Sequence, residues 1–351
     1  MEILTFLTQA TQIGASDVFI VSGRPLSYKK GGKILQFNEE RVMPAQTEQL
    51  IRDIYKLADN RDISRFQTSG DDDFSFAVPG LSRFRVSTYM QRGSMAAVIR
   101  IITFELPHPE ELGIPQCIID LGSLNKGLVL VTGPAGSGKS TTLACIIDAI
   151  NNSQEKHIIT LEDPLEFLHR HKKSIVSQRE ISSDTQSYIT ALRASLRQSP
   201  DVILLGEMRD FETISVAMTA AETGHLVLST LHTLGAANTI DRIIDVFPPN
   251  QQRQIAVQLS SVLQAVVSQQ LIPSVNGSQL PAFELLTATP AIRNMIRENK
   301  IPQIDGLIYS ASADSMFSMD SSLLSLYKSG RISQEDALSH ASNPEMLKRK
   351  L

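Results

Sequence analysis

The hydrophobic residues after position 120 fall into short continuous runs that alternate with longer amphipathic stretches. Apolar runs of roughly four to eight residues are typical of buried parallel strands, and helical stretches between them are typical of βαβ units. The runs lie at 128–131, 158–161, 202–205 and 226–231, with helical stretches at 141–150, 186–197 and 211–223. Asp210 precedes the last stretch as an N-cap, and Gly224 follows it as a stop. The pattern predicts an α/β fold with a parallel sheet.

Beyond Pro248 and Pro249 the pattern becomes mainly helical. Apolar positions recur at helical spacing in four segments, at 251–271, 291–299, 321–327 and 333–340. We therefore expect a helical C-terminal region after the parallel sheet.

The first part of the chain has a different pattern. Residues 17–21 and 82–89 alternate between apolar and polar side chains, and residues 47–57 have helical spacing. These features predict a small α+β domain over residues 1–105. Pro107, Pro109 and Pro115 follow it closely, and prolines at this density favour an extended connector, which we place at 106–119.

Composition excludes several classes of protein. The chain has 351 residues, 42% of them hydrophobic, and a formal net charge of −4, which lacks the basic surplus of a nonspecific nucleic-acid binder. Cys117 and Cys145 are the two cysteines, which indicates a reducing compartment and excludes a four-cysteine zinc module. No apolar run approaches the roughly 18 residues that cross a bilayer. We expect a cytoplasmic protein and no nucleic-acid partner.

A complete phosphate-binding loop stands between the apolar run at 128–131 and the helical stretch at 141–150. It consists of Gly133, Pro134, Ala135, Gly136, Ser137, Gly138, Lys139 and Ser140, followed by Thr141. The glycines let backbone N–H groups face a phosphate, Lys139 neutralises phosphate charge, and the Ser140 hydroxyl can hold Mg²⁺. A helix N-terminus adds a favourable dipole. The loop predicts binding of ATP or GTP.

Acidic residues follow two of the predicted strands. Glu207 follows the run at 202–205 and is our candidate for the general base, because the carboxyl ends of parallel strands lie beside bound phosphates. Many phosphate-loop enzymes carry an Asp in this strand that assists Mg²⁺, whereas this chain has Gly206 before the Glu. Another carboxylate must then help to hold the metal, and Glu162 is the stronger candidate beside Asp163. The alternative is that these acids only cap loops.

His225 and His232 flank the run at 226–231. They are seven residues apart, so a regular strand would direct them to opposite faces. Either the strand bends, or each histidine has its own role at one strand end. The alternative is a purely structural role for both.

Four segments together resemble the secretion and pilus ATPases. They are the segments that this family names Walker A, Asp box, Walker B and His box, at 133–141, 160–167, 201–210 and 221–233. The resemblance implies a PAS-like domain over 1–105 and a RecA-like motor domain over 120–351. It also implies a ring of six identical subunits that binds ATP and Mg²⁺. The resemblance also implies that Gly206 is the usual residue of the family at its position. It assigns nucleotide sensing or subunit coupling to His225 and His232.

The segment at 291–298 resembles the helical signature of the pilus-retraction subgroup, with Met295 where Leu is usual. Ile292, Met295 and Ile296 would form one apolar stripe that packs, whereas Arg293 and Arg297 would lie together and face a partner. Phe19 departs from the subgroup, which often has His at that position.

The resemblance implies that ATP hydrolysis powers type IV pilus retraction. Glu207 would orient or deprotonate water, and Ser140 with Glu162 would hold Mg²⁺. Charge would be stabilised by Lys139 and by arginines that the family supplies from its first domain; the candidates here are Arg83, Arg85 and Arg100.

The implied position is the cytoplasmic face of the inner or plasma membrane, at the pilus base. The implied partners are an inner-membrane platform protein and a paralogous retraction ATPase. Alternatives are a pilus-extension or type II/IV secretion ATPase, an accessory retraction subunit, and a RecA-like nucleic-acid motor.

Overall fold

A computed structural model of the chain describes residues 2–102, 106–311 and 315–351. The chain divides into two compact units. The first contains Met1–Glu105 with Glu166–Leu168, and the second contains Leu106–Leu165 with His169–Leu351. The predicted end of the first domain falls at residues 103–105, which lie outside the described residues.

The first unit is built on an antiparallel sheet. Its elements are α1 (Ile3–Gln12), β1 (Asp17–Ile20), β2 (Pro25–Lys30), β3 (Lys33–Arg41), α2 (Pro44–Leu57), α3 (Ser64–Ser69), β4 (Asp71–Val78), β5 (Ser82–Gln91) and β6 (Ser94–Ile102). The six strands lie in the order β3-β2-β1-β6-β5-β4. Along β5, buried and more exposed residues alternate as far as Tyr89, because successive side chains point to opposite faces of the sheet. The α+β prediction is confirmed.

The second unit begins with α4 (Pro109–Leu112), α5 (Gln116–Ile119) and a 3₁₀ turn (Asp120–Ser123). Next come β7 (Gly127–Thr132), α6 (Lys139–Ser153), β8 (His157–Glu162), β9 (Ile175–Glu180), α7 (Tyr188–Ser195), β10 (Val202–Leu205), α8 (Phe211–Glu222) and β11 (Leu226–Leu231). They are followed by α9 (Ala236–Asp245), α10 (Pro249–Val262), β12 (Leu263–Pro273) and β13 (Gln279–Thr287). The C-terminal elements are α11 (Pro290–Arg297), a second 3₁₀ turn (Ile301–Gln303), α12 (Ile304–Ser310), α13 (Met319–Lys328), α14 (Gln334–Ser339) and α15 (Pro344–Lys348).

A seven-stranded sheet organises the second unit, in the order β13-β12-β7-β11-β10-β8-β9. Neighbouring strands are parallel except for the antiparallel pair β12 and β13. Leu128 and Leu130 of β7 pack into one hydrophobic cluster, whereas Val129 and Val131 pack into another. Since successive residues of a strand point to opposite faces, helices cover this sheet on both sides. The predicted parallel βαβ arrangement is confirmed.

The predicted helix over 251–271 is wrong in its second half. The helix α10 ends at Val262, and the chain continues as strand β12, which pairs with β7 and β13. Val266 and Val267 are both fully buried, one in each cluster of the core. Burial on both faces and pairing with two strands therefore outweigh the local helical spacing. The edge strands β9 and β13 were not predicted.

The extended connector predicted at 106–119 is also wrong in part. The helices α4 and α5 occupy most of it, and Pro109 is the first residue of α4, where a missing N–H costs no helical hydrogen bond. Ile114, Ile118 and Ile119 are buried in the core of the second unit. Apolar packing therefore folds this segment despite its prolines.

Arg293 holds the end of one helix in place. Its guanidinium donates hydrogen bonds to the carbonyl oxygens of Ser260 at 2.7 Å, Ser261 at 2.9 Å and Ala288 at 3.0 Å. The carbonyls of Ser260 and Ser261 belong to the last turn of α10, which lacks helical donors. The predicted stripe of Ile292, Met295 and Ile296 packs into the core as expected. The Arg293 guanidinium, which we expected to face a partner, bonds carbonyl oxygens of its own chain.

We predict that Arg293→Ala destabilises the protein by about 2–3 kcal/mol, because several charge-assisted hydrogen bonds are lost together. Arg297→Ala is the matched control: Arg297 lies one turn later on the same helix and is exposed. Its replacement should change the free energy of unfolding by less than about 0.5 kcal/mol. Urea unfolding of both variants tests this, and equal losses would contradict it.

Candidate active site at the carboxyl edge of the second sheet

The loop between β7 and α6 packs tightly against β12. Gly133, Gly136 and Gly138 have φ angles of 142°, 76° and 85°, which L side chains rarely adopt. A Cβ at Gly133 would lie 2.1 Å from the carbonyl oxygen of Gln269, and one at Gly138 would lie 2.9 Å from the Gln269 amide nitrogen. Gln269 also accepts a hydrogen bond from Thr142 Oγ1 at 2.8 Å. Gln269 of β12 therefore holds the loop in place, and no local pattern in the sequence predicts this contact.

The polar groups of the loop fit a phosphate ligand. Lys139 Nζ donates hydrogen bonds to the carbonyl oxygens of Gly133 and Pro134, both at 2.8 Å. The hydroxyl of Ser137 is buried and has no hydrogen-bond partner among the described residues. Ser140 and Thr141 stand in the first turn of α6, where backbone N–H groups lack helical acceptors. These donors converge on a glycine cradle, as a nucleotide phosphate requires.

Glu207 follows β10, and each of its two carboxylate oxygens has a partner. One carboxylate oxygen lies 2.6 Å from a guanidinium nitrogen of Arg209, and the other lies 3.4 Å from Nε2 of His232. The Glu207 side chain is 13% exposed, whereas that of Arg209 is 76% exposed. The hydrogen bond to Glu207 raises the pKa of Arg209 above its usual value. The structure thus brings together Glu207 and His232, and it adds Arg209, which our sequence analysis did not assign.

Glu162 is the last residue of β8 and lies beside the end of β10, because Leu161 aligns with Leu205 in the parallel register. The amide nitrogen of Gln178 approaches Glu162 Oε1 at 3.4 Å. The amide oxygen of Gln178 accepts a hydrogen bond from the backbone N–H of His169 at 2.7 Å, which orients the amide. Gln178 belongs to β9, a strand that the sequence did not predict. Asp163 follows Glu162 and is exposed.

Tyr188 explains the glycine that precedes Glu207. A Cβ at Gly206 would lie 2.8 Å from the hydroxyl oxygen of Tyr188, so a larger residue does not fit. Burial raises the pKa of Tyr188, and the carboxylates of Asp163, Glu207 and Glu162 raise it further. The Tyr188 phenol therefore remains protonated at neutral pH.

The two predicted histidines lie at opposite ends of strand β11. The carbonyl oxygen of His225 accepts a hydrogen bond from the backbone N–H of Gly127 at the start of β7. The Nδ1 atom of the His225 ring donates a hydrogen bond to the carbonyl oxygen of Ala220 at 2.9 Å. His232 follows the carboxyl end of β11. Since β11 pairs regularly with β7, the two histidines are about 20 Å apart and do not meet at one site of one chain.

The three predicted arginines lie in the first unit. Arg83 and Arg85 are two residues apart on β5, so their side chains point to the same face of the sheet. Arg85 pairs directly with Arg100 of β6, which places all three arginines on that face. Arg100 forms an ion pair with Asp17 at 3.2 Å and is 67% exposed.

A model of the type II/IV secretion system protein family matches residues 2–303. The chain belongs to this family. The type IV pilus retraction ATPase PilT of Pseudomonas aeruginosa is 44% identical over 345 residues, which cover 98% of this chain and 99% of PilT. The type IV pilus ATPase PilU of the same organism is 38% identical over 349 residues, 99% of this chain and 91% of PilU.

A crystal structure of the pilus retraction motor PilT with bound ADP matches the chain with a TM-score of 0.90 at 45% identity, covering 99% of both chains. The resemblance inferred from the four motifs is confirmed, including its narrowing to the retraction subgroup, and so is the fold class. No helix in the described parts of the chain is long and apolar enough to span a membrane.

We predict that Gly133→Ala weakens ADP binding at least tenfold, because the added methyl group would displace the loop from the Gln269 carbonyl. Gly136→Ala is the matched control: it has a similarly unfavourable φ, but a Cβ there meets no atom within 4 Å. Titration calorimetry with ADP measures both. Equal losses of affinity would show that backbone conformation, and not contact with β12, restricts the loop.

Proposed function

We propose that this protein is a Mg²⁺-dependent ATPase that powers type IV pilus retraction. The observation that carries the proposal is the meeting of a complete phosphate loop with Glu162 and Glu207 at one edge of the sheet. The similarity to PilT along almost the whole chain supports the same function.

The phosphate loop would bind the β- and γ-phosphates of ATP. Lys139 would exchange the carbonyl oxygens of Gly133 and Pro134 for phosphate oxygens, which carry more negative charge. The buried hydroxyl of Ser137 would donate a hydrogen bond to an oxygen of the same phosphates. Ser140 and Glu162 would hold Mg²⁺, which, when bound, neutralises charge on the phosphates. Gln178 would keep the Glu162 carboxylate directed toward the ion.

Glu207 would orient the attacking water and accept its proton. The water oxygen forms a bond to the γ-phosphorus while the bond to the β–γ bridging oxygen breaks, which gives ADP and inorganic phosphate. The ion pair with Arg209 and the contact with His232 hold the Glu207 carboxylate at the strand end where this water would stand. Proton transfer of this kind contributes roughly 10²- to 10⁴-fold to a rate.

The remaining predicted residues fit an assembly of several subunits. We propose a homohexamer in which Arg83, Arg85 and Arg100 stabilise charge on the γ-phosphate during hydrolysis. His225, at the amino edge of the sheet, would couple neighbouring subunits, whereas His232 senses the nucleotide through Glu207. The ring would act at the cytoplasmic face of the inner or plasma membrane, with a platform protein of the pilus base and a paralogous retraction ATPase as partners.

An accessory retraction subunit, the alternative that the sequence resemblance left open, is the second candidate. The chain is similar over nearly its full length to two type IV pilus ATPases of one organism, PilT at 44% identity and PilU at 38%. The higher identity to PilT and the intact Glu207 favour an autonomous motor. Turnover of ATP by the purified protein alone distinguishes the two.

We predict that Glu207→Ala lowers kcat for ATP hydrolysis at least about 100-fold while ADP affinity stays within about threefold, because Glu207 acts on the water and not on the loop. Glu212→Ala, which removes an exposed acid of α8, is the control and should retain turnover. A phosphate-release assay measures both. Full turnover by Glu207→Ala would exclude this residue as the base.

In cells, we predict that a strain lacking this protein extends its pili but does not retract them. Fluorescently labelled pili can be followed by microscopy, and re-expression of the Glu207→Ala variant should fail to restore retraction. Normal pilus retraction in the deletion strain would contradict the proposed function.

A further inference from the structure

A row of three buried polar residues crosses the second sheet beside the phosphate loop. Thr132 of β7 pairs with Ser268 of β12, and Ser268 pairs with Glu284 of β13. Cross-strand partners point to the same face of a sheet, so the three side chains lie next to one another, and we call them the polar row. All three residues are buried. Buried polar groups cost free energy unless they are hydrogen-bonded, so the partners of the polar row indicate its role.

The helix α9 begins without a capping side chain of its own. Its N-cap residue is Gly235, which has no side chain to accept a hydrogen bond from the first turn. Ser268 Oγ accepts a hydrogen bond from the backbone N–H of Gly235 at 3.0 Å. Glu284 Oε1 accepts one from the backbone N–H of Ala236 at 2.9 Å. Two members of the polar row therefore replace the missing cap.

The third member of the polar row meets the same segment through hydroxyl groups. Thr239 Oγ1 of α9 lies 3.5 Å from Thr132 Oγ1. The same oxygen lies 2.7 Å from Thr233 Oγ1 and 2.8 Å from the carbonyl oxygen of Gly235. Side-chain contacts thus hold residues 233, 235 and 236, all within one short segment.

The Glu284 carboxylate is itself held from a second direction. Its Oε2 accepts a hydrogen bond at 3.4 Å from the backbone N–H of Met319, the first residue of α13. Negative charge is favourable at helix N-termini, because the helix dipole is positive there. The carboxylate lies between the N-termini of α9 and α13, so it cannot shift without losing a hydrogen bond to one of them.

His232 is the residue directly before this anchored segment. Its Nε2 lies 3.4 Å from a carboxylate oxygen of Glu207, while its side chain is 55% exposed. An imidazole with this exposure is held only weakly by its own packing. The backbone on either side must then keep His232 in place, with β11 before it and the anchored segment 233–236 after it.

We propose that Ser268 and Glu284 are positioning residues for ATP hydrolysis. They fix the segment 233–236, so that His232 stays against Glu207. The kinetic part of the inference rests on the proposed function, whereas the anchoring of the segment is independent of any activity.

The first test measures the anchoring by hydrogen exchange of the full-length protein, read by mass spectrometry. Ser268→Ala removes the acceptor of the Gly235 N–H, so exchange at this amide should accelerate at least about tenfold. Glu284→Gln keeps the shape of the side chain but has a single acceptor oxygen, so exchange should accelerate at Ala236 or Met319. Unchanged exchange at these amides in both variants would overturn the anchoring.

Ser195→Ala is the matched control for the exchange measurement. Ser195 is a buried serine whose hydroxyl donates a hydrogen bond to the carbonyl oxygen of Leu192 in its own helix, at 2.7 Å. Its replacement should leave exchange at Gly235 unchanged. Equal acceleration in Ser195→Ala and Ser268→Ala would mean that any buried serine has this effect, and it would overturn the anchoring.

The second test is a double-mutant cycle on kcat. Ser268→Ala should lower kcat about tenfold while the affinity for ADP changes less than twofold. In the His232→Ala background, the same substitution should lower kcat by less than about twofold further, because the residue that it positions is gone. A further tenfold loss would show that Ser268 acts independently of His232, and it would overturn the positioning role.

The outcomes separate this inference from the proposed function. Unchanged kcat in Ser268→Ala or in His232→Ala, with turnover abolished in Glu207→Ala, would overturn the positioning role and leave the proposed function intact. A parallel loss of kcat and ADP affinity in Ser268→Ala would indicate a general structural effect and would also overturn it. Full turnover by Glu207→Ala would overturn the proposed function, while hydrogen exchange would still report on the anchoring.

Discussion

Parallel pairing of β7, β8, β10 and β11 is the constraint on which the candidate site depends. Parallel strands end at the same edge, so groups that are distant in sequence meet there. Thr132 leads into the phosphate loop, while Glu162, Glu207 and His232 stand at or just after the ends of the other three strands. Slipping β7 by one residue would exchange the leucines packed in one core cluster with the valines packed in the other, so the specific packing of the two clusters favours this register.

The site holds its charged groups in internal pairs, which the phosphates of ATP would replace at Lys139 and the attacking water would replace at Glu207. Lys139 donates hydrogen bonds to loop carbonyl oxygens, and Glu207 forms an ion pair with Arg209. Each pair keeps Lys139 or Glu207 near its proposed place of action. Neither pair is a fully buried ion pair, which would be costly to break. Since Arg209 is exposed, its side chain can move into solvent when the proposed attacking water hydrogen-bonds to Glu207.

Sequence reasoning predicted the parts of this site that depend on local patterns. The glycine loop and Glu207 were found because each adjoins a continuous apolar run, and the four motifs placed the chain in its family. Gln269 and Gln178 were not found, since both belong to strands whose pairing is determined by distant segments. Arg293 was assigned to a partner because helical spacing reports a shared face but not which acceptors lie beside it. Only the folded chain brings the α10 carbonyls to Arg293.

The most direct test of the account is a crystal structure of the protein with Mg²⁺ and a non-hydrolysable ATP analogue. The account predicts that Lys139 contacts phosphate oxygens and that the Glu207 carboxylate accepts a hydrogen bond from a water in line with the γ-phosphorus. Glu162 and Ser140 should face the metal. A nucleotide bound away from the loop, or an in-line water held by an acid other than Glu207, would contradict it.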